Sequence, residues 1–380
     1  MIAPASVSDF RTLAERRLPR VLFDYVDGGA FEEQTLAANI ADLKRIGLKQ
    51  KVLRDVSTID LSTTLFGKKL SLPLVLAPVG FGGMMARRAE VQAARAAEAA
   101  GIAFSLSTVS ICSIEEVRAA TSRPFWFQLY MMKDRGVVKA ILERAQAAGC
   151  TTLLATVDLA ALGTRYRDIR NGMGAQLAGL SALRMAWRFA SRPRWIVDVG
   201  LRGGPLQFGN LTAALKRNSL AAGMAYSGTA FDPSFNFKDL EWIRSNWNAA
   251  IVLKGVLDVD DAREGVANGA DGIVVSNHGG RQLDAACSTI SALPRIADAV
   301  GDKTVILMDG GIRSGQDITR ALALGARACL AGRPWVYAVA ARGQAGVAQM
   351  IETMRNELRT TMALIGKTRI ADIDRSAVTV

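Results

Sequence analysis

The apolar positions of this chain gather in short continuous runs, not in long periodic ones. Eight such runs lie near 74–77, 103–107, 125–130, 152–157, 250–254, 271–276, 304–308 and 327–331. They are rich in β-branched residues and show no alternation, the pattern of strands covered on both faces. Between them recur Ala-rich helical stretches that stop at glycine. Residues 87–100 run into Gly101 and "IAFSLST", and 135–148 run into Gly149 and "CTTLLATVD". The unit returns as "DDAREGVANGADGIVVSNHGG" and "DITRALALGARACLAGRP". Helix, glycine stop and buried strand form a βα unit. Eight of them predict an α/β fold of the (β/α)8 TIM barrel type. A doubly wound open sheet is the alternative, but it usually has fewer strands, and no G-x-G-x-x-G follows the first run.

The spacing is uneven. The interval from Thr156 to Ala250 is several times longer than an ordinary βα crossover. It predicts an insertion on the catalytic face, placed at 172–237. Residues 1–70 precede the first strand and are read as an N-terminal cap, 71–365 as the barrel, and 1–380 as one domain.

Composition narrows the function classes. Half the residues are apolar and 22% are charged, which supplies a large core and argues against disorder. No run approaches the roughly 20 apolar residues that span a bilayer. Residues 1–20 contain no apolar signal segment. The four cysteines, at 112, 150, 287 and 329, form no C-x-x-C pair and are read as thiols. The net charge of +12 favours anionic partners. No basic tail or nucleic-acid motif accompanies it, so a nucleic-acid partner is not expected. There is one histidine, His278, so a multi-imidazole metal site is excluded and no metal is expected.

A barrel of this kind builds its active site at the C-terminal ends of its strands. In order, those ends read Ala77-Pro78-Val79-Gly80, Ser107-Thr108, Gln128-Leu129-Tyr130, Thr156-Val157-Asp158, Lys254-Gly255, Ser276-Asn277-His278, Asp309-Gly310-Gly311-Ile312-Arg313 and Gly332-Arg333. Any one of these is ordinary turn chemistry; together they place polar groups at one mouth. The two Gly-Arg loops at the seventh and eighth ends suit a phosphate. Lys254 is either a snorkelling strand-end lysine or a cation beside a cofactor that gains negative charge, as a reduced flavin does. His278, in a glycine-rich loop, suits proton abstraction. Arg281 is placed to grip a carboxylate, Arg165 offers a second cation, and Asp158 can pair with the imidazole.

These residues carry a resemblance. "SNHGGRQLD" (276–284), with "FDYVDGGA" (23–30), "FQLY" (127–130), "GTRYRDIRN" (163–171), "LKG" (253–255) and "DGGIRSG" (309–315), resembles the FMN-dependent L-2-hydroxy acid oxidase/dehydrogenase family over nearly the whole chain. Within it the chain looks most like the bacterial membrane-associated L-lactate dehydrogenases. The resemblance implies FMN as cofactor, His278 as base with Asp158 as its partner, and Arg165 and Arg281 on the substrate carboxylate. It implies Tyr25 and Tyr130 on the substrate and Lys254 beside the reduced flavin. Ala77, Pro78, Val79, Gly80, Ser107, Gln128, Thr156 and Ser276 would line the flavin. Asp309, Gly310, Gly311, Arg313, Gly332 and Arg333 would hold the ribityl phosphate region. One departure is Leu159-Ala160-Ala161-Leu162, where the family often carries a proline-containing loop.

The activity so implied is oxidation of L-lactate to pyruvate, with a membrane quinone or cytochrome as acceptor. The alternatives are an oxidase producing hydrogen peroxide and an L-mandelate dehydrogenase. Gly80 points to a dehydrogenase, and Val109, where glycolate oxidase is bulkier, leaves room for a methyl group. Another phosphate-binding barrel, such as an isomerase, leaves His278 and Arg281 unexplained. A non-enzymatic membrane-surface protein leaves the strand ends unexplained. The resemblance also implies a homotetramer. Residues 175–217 carry seven basic residues against Asp198 alone. Arg184, Arg188 and Arg192 at helical spacing, beside Leu180, Leu183, Trp187 and Ala190 with Trp195 just beyond, predict an anionic membrane surface as partner; the resemblance implies a peripheral enzyme on the cytoplasmic side of the inner membrane. A solvated face or subunit contact is the alternative for this segment.

Overall fold

A computed structural model of the chain describes residues 4–173, 179–215 and 219–379. Eight parallel strands close into a barrel among these residues. They are β1 (Leu74–Leu76), β2 (Ala103–Ser107), β3 (Trp126–Tyr130), β4 (Thr152–Thr156), β5 (Ala250–Val256), β6 (Gly272–Val275), β7 (Val305–Met308) and β8 (Ala328–Ala331). Each lies within two residues of its expected run. Neighbours in sequence are neighbours in the barrel, and β8 pairs with β1 to close it.

Three helices precede the barrel: α1 (Val7–Arg17), α2 (Arg20–Asp27) and α3 (Gln34–Arg45). A hairpin of Thr63–Leu65 and Lys68–Leu70 follows them. Its Leu65, Phe66 and Leu70 pack on Trp126 and Val305, the first residues of β3 and β7. The hairpin therefore plugs the N-terminal mouth, and the opposite mouth is left for chemistry.

The barrel interior is an apolar layer that includes Val75, Trp126, Leu154, Val252, Val274 and Leu307. Side chains alternate along a strand. Two residues further on, the same inward direction therefore belongs to Ala77, Gln128, Thr156, Lys254, Ser276 and Asp309. Polar groups thus sit directly above a dry core, and all but Ala77 are buried polar or charged side chains. The helices α4 (Ala89–Ala100), α5 (Ile114–Ala120) and α6 (Arg135–Ala147) cover the first strands.

The long segment after β4 contains α7 (Tyr166–Arg170), α8 (Gly179–Ala190) and α9 (Leu220–Ala230). The expected basic stripe is corrected here. Arg188 donates to Asn171 Oδ1 at 2.8 Å, and Arg192 donates to the Leu18 carbonyl at 3.0 Å. Trp195 is buried and donates to the Met84 carbonyl at 2.8 Å. These three fasten the insertion to the protein. Arg184, Leu183 and Trp187 are exposed as expected. Lys216 and Arg217 lie outside the described residues, as does the side chain of Leu180.

Candidate active site

The site is assembled from loops that leave the polar upper layer. After β6 the chain turns through His278, Gly279 and Gly280 with φ of 57°, 65° and 75°. This left-handed region is unfavourable for a residue with a Cβ. The turn folds His278 back over the barrel mouth. Its Nδ1 lies 3.0 and 3.2 Å from the two oxygens of Asp158, at the end of β4. The other ring nitrogen, Nε2, lies 3.4 Å from the Tyr130 hydroxyl. Gly255 lets Asp158 approach: a Cβ there would fall 2.6 Å from the Asp158 side chain.

The charges are arranged in pairs. Burial opposes ionisation of Asp158, but His278 and then Lys254 hold the carboxyl below its usual range. Lys254 is buried, 3.0 Å from Asp309 Oδ2 and 3.1 Å from Ser276 Oγ. Burial works against its charge, yet Asp309 and Asp158 raise its pKa. The Ser276 hydroxyl also accepts the His278 amide at 3.1 Å. Across the mouth, Ser107 donates to Gln128 Oε1 and Gln128 donates to Thr156 Oγ1, both at 2.9 Å. Burial raises the Tyr130 hydroxyl well above its ordinary value, so it stays protonated.

Two guanidiniums flank Tyr25, which α2 presents to the mouth. Arg281 lies 4.8 Å and Arg165 5.3 Å from the ring centroid. Arg281 donates to the carbonyls of Tyr25 and Gly28 at 2.6 and 3.1 Å. Burial, and then Arg165, lower its pKa. Arg165 is paired with Asp168 at 3.2 Å. Burial raises the Asp168 carboxyl against the pull of both arginines.

On the opposite side, Gly310 and Gly311 adopt φ of 88° and 84°, and Arg313 follows. Arg333 also lines the cavity, but its donors go to the carbonyls of Val26, Gly279 and Gly28. Its burial pushes the guanidinium down to about 9.

One cavity of about 450 Å3 joins these parts. Its wall holds Tyr25, Ala77, Pro78, Val79, Gly80, Tyr130, Arg165, Lys254, His278, Arg281, Asp309, Gly310, Gly311, Arg313, Gly332 and Arg333. Ser107, Gln128, Thr156, Ser276 and Asp158 are not on that wall; they orient residues behind or beside it. Sequence reasoning missed Met224, Gly228 and Phe231, which the insertion brings to the cavity. Their signal is faint: 220–230 carries no charged residue. It also missed Gln282, which holds the loop after β4 through the carbonyls of Asp158 and Ala161.

An imidazole–carboxylate pair beside two guanidiniums, opening onto a glycine-walled cationic cradle, defines a barrel enzyme for an anionic acid and a phosphate-bearing cofactor. The chain belongs to the FMN-dependent dehydrogenase family, whose pattern it matches over residues 14–380. It is 54% identical over 373 residues to an L-lactate dehydrogenase of Caulobacter vibrioides, covering 98% of this chain and 97% of that one. It is 54% identical over 379 residues to an L-lactate dehydrogenase of Stenotrophomonas maltophilia, covering 100% and 99%. Among solved structures, a monotopic membrane protein, (S)-mandelate dehydrogenase, matches with a TM-score of 0.93 at 35% identity over 100% of both chains. A mandelate oxidase matches with a TM-score of 0.84 at 36% identity, covering 99% and 98%.

The residues present suit FMN. Asp309 Oδ1 is buried without a hydrogen-bond partner and can accept from a hydroxyl. The left-handed Gly310-Gly311 turn and Arg313 suit a phosphate, and the cation of Lys254 is already held in place.

Proposed function

We propose that this protein binds FMN and oxidises L-lactate to pyruvate, passing the electrons to a membrane quinone or cytochrome. The observation that carries the reading is the His278–Asp158 pair set beside Tyr130 and the two arginines around Tyr25. Relatives over half identical along nearly the whole chain, named L-lactate dehydrogenase, support the choice of acid.

Arg281 and Arg165 bind the substrate carboxylate, and Tyr25 and Tyr130 direct its hydroxyl towards His278. Nδ1 of His278 faces Asp158, so Nε2 is the atom that takes the substrate proton. Asp158 balances the charge that the ring gains. Bound FMN supplies the two-electron acceptor. Lys254 would offset negative charge on the flavin, Ala77, Pro78, Val79 and Gly80 would line it, and Ser107, Gln128, Thr156 and Ser276 orient the wall. Gly310, Gly311, Gly332 and Arg313 would hold the phosphate, Asp309 would accept from a ribityl hydroxyl, and Arg333 fixes the backbone around them.

A second reading is L-mandelate, favoured by the likeness to the solved (S)-mandelate dehydrogenase. The enzyme acts at a membrane surface. No helix among the described residues is long and apolar enough to cross a bilayer. Leu183, Trp187 and Leu201 are each at least two-thirds exposed; Arg184 and Arg202 are exposed next to them in sequence, and Arg194 is exposed between them. Apolar and basic side chains on one segment are the chemistry of an interfacial anchor.

The test is anaerobic bleaching of the bound flavin by L-lactate, D-lactate, glycolate and L-mandelate, followed by a quinone or oxygen. Fast bleaching by L-lactate and reoxidation by quinone are expected. Bleaching by L-mandelate far above L-lactate selects the second reading, and no bleaching by any acid overturns both.

A further inference from the structure

Asn39 lies on α3, outside the barrel and remote in sequence from every strand end, yet it is almost wholly buried. Its side chain is paired reciprocally with Asn277, the residue before His278. Asn39 Nδ2 donates to Asn277 Oδ1 at 2.8 Å, and Asn277 Nδ2 donates to Asn39 Oδ1 at 2.9 Å. Asn39 Oδ1 also accepts the Thr289 amide at 3.1 Å. The Asn277 amide cannot be turned over without loss. Its Oδ1 accepts the Gly280 amide and its Nδ2 donates to the Cys287 carbonyl, both at 3.1 Å. This one side chain therefore pins both ends of the left-handed His278-Gly279-Gly280 turn.

The same residue backs the phosphate cradle. A Cβ on Gly311 would fall 2.1 Å from the Asn39 carbonyl oxygen, so the cradle turn lies directly on the α3 backbone. Thr289, held by Asn39, reaches the Gly310 carbonyl through its hydroxyl at 3.4 Å.

We infer that Asn39 is a positioning residue that couples the loop carrying His278 to the loop that cradles the cofactor phosphate. Resting on the FMN reading above, the coupling makes two properties depend on one amide: retention of FMN and the placement of the base. Both loops pack on α3 through Asn39, by its side chain at Asn277 and by its backbone at Gly311. The His278 backbone is unfavourable for a non-glycine residue, and both Gly310 and Gly311 are left-handed.

The experiment uses the full-length protein, stripped of flavin and titrated with FMN, for the parent, Asn39→Ala and Asn39→Asp. Asn39→Asp has the same size and keeps both accepted hydrogen bonds while losing the donated one, so it serves if Asn39→Ala does not fold. Two quantities are read: the FMN dissociation constant by fluorescence, and the rate and pH profile of anaerobic flavin reduction by L-lactate at saturating FMN. An unpaired buried polar group should weaken FMN binding by about tenfold or more. Reduction at saturating FMN should fall by a similar factor and its pH profile should move. A change in only one of the two overturns the coupling, as does a fall in thermal stability with both unchanged. A parent that does not take up FMN overturns the FMN reading instead, so the two failures are distinct.

Discussion

Replacing Asp27 by Asn should destabilise the protein in a way that fades as the solution is acidified. Asp27 ends α2, two residues after Tyr25. Its carboxylate accepts from Arg11 at 2.6 and 2.8 Å, from Arg167 at 3.0 Å and from the Tyr337 hydroxyl at 2.7 Å. Burial would raise this carboxyl, but Arg11, Tyr337 and Arg167 together bring it from 3.8 down to about 2. One unit is worth 1.36 kcal/mol, so the difference stabilises the fold by about 2 kcal/mol at neutral pH. The folded value is depressed, so this stability is present above the unfolded value near 3.8 and is lost as pH falls through about 2. Roughly half should remain at pH 3. The assay is urea unfolding of parent and Asp27→Asn at pH 7, 4 and 3. The gap between them should be about 2 kcal/mol at pH 7 and shrink towards pH 3. A gap that is the same at every pH would refute the argument, because it would trace to lost packing and not to a charged carboxylate. The substitution should also raise the KM for L-lactate, since the same contacts steady the turn that holds Tyr25 beside Arg281.

The remaining expectations are shorter. His278→Gln should fold and keep its flavin, and flavin reduction by L-lactate should drop by about 10²–10⁴, the usual effect of removing a general base; stopped-flow absorbance decides it, and near-parent rates would remove His278 from that role. Arg281→Lys exchanges a rigid fork for a point charge. It should raise KM strongly, which steady-state kinetics will show, while unchanged kinetics would take Arg281 out of the substrate site. Changing Leu183 and Trp187 together to Ser should lower binding to anionic vesicles by about tenfold or more, since each buried large apolar side chain contributes about 1.5–3 kcal/mol. Flavin reduction should be kept, and unchanged vesicle binding would exclude this helix as the anchor.

The barrel was legible because its strands are buried on both faces and so read as unbroken apolar runs. The site was legible for a related reason. Val252 and Lys254, or Leu307 and Asp309, share one strand face, so a polar residue two places beyond an apolar one marks the top of the core. The insertion obeys no such rule. A stripe through Arg184, Arg188 and Arg192 assumes one continuous helix, but Pro193 follows, and the residue before a proline avoids helical backbone. The helix stops at Ala190, and Arg192 turns inward to the Leu18 carbonyl. Phe231 was hidden because it reaches the cavity through a backbone bridge to Met132, just after β3, a contact with no local pattern. Asn39 was hidden for the same reason.

The two arginines proposed to bind the substrate differ in a way that composition could not show, and on that proposal the difference has a chemical consequence. Arg165 already has a carboxylate at 3.2 Å in Asp168, so its charge is partly balanced before any ligand arrives. Arg281 has no ion pair among the described residues; its guanidinium donates to two carbonyls and lies over the Tyr25 ring. Removing a cation from water without a counter-charge is costly, and the lowered pKa of Arg281 registers that cost. A carboxylate entering the cavity supplies what Arg281 lacks, whereas at Arg165 it must share the guanidinium with Asp168. The neutral amide of the same acid offers Arg281 a further acceptor but no counter-charge. Discrimination between an acid and its amide therefore falls mainly on Arg281. Arg165, held by Asp168, is on this proposal left to orient the acid against His278.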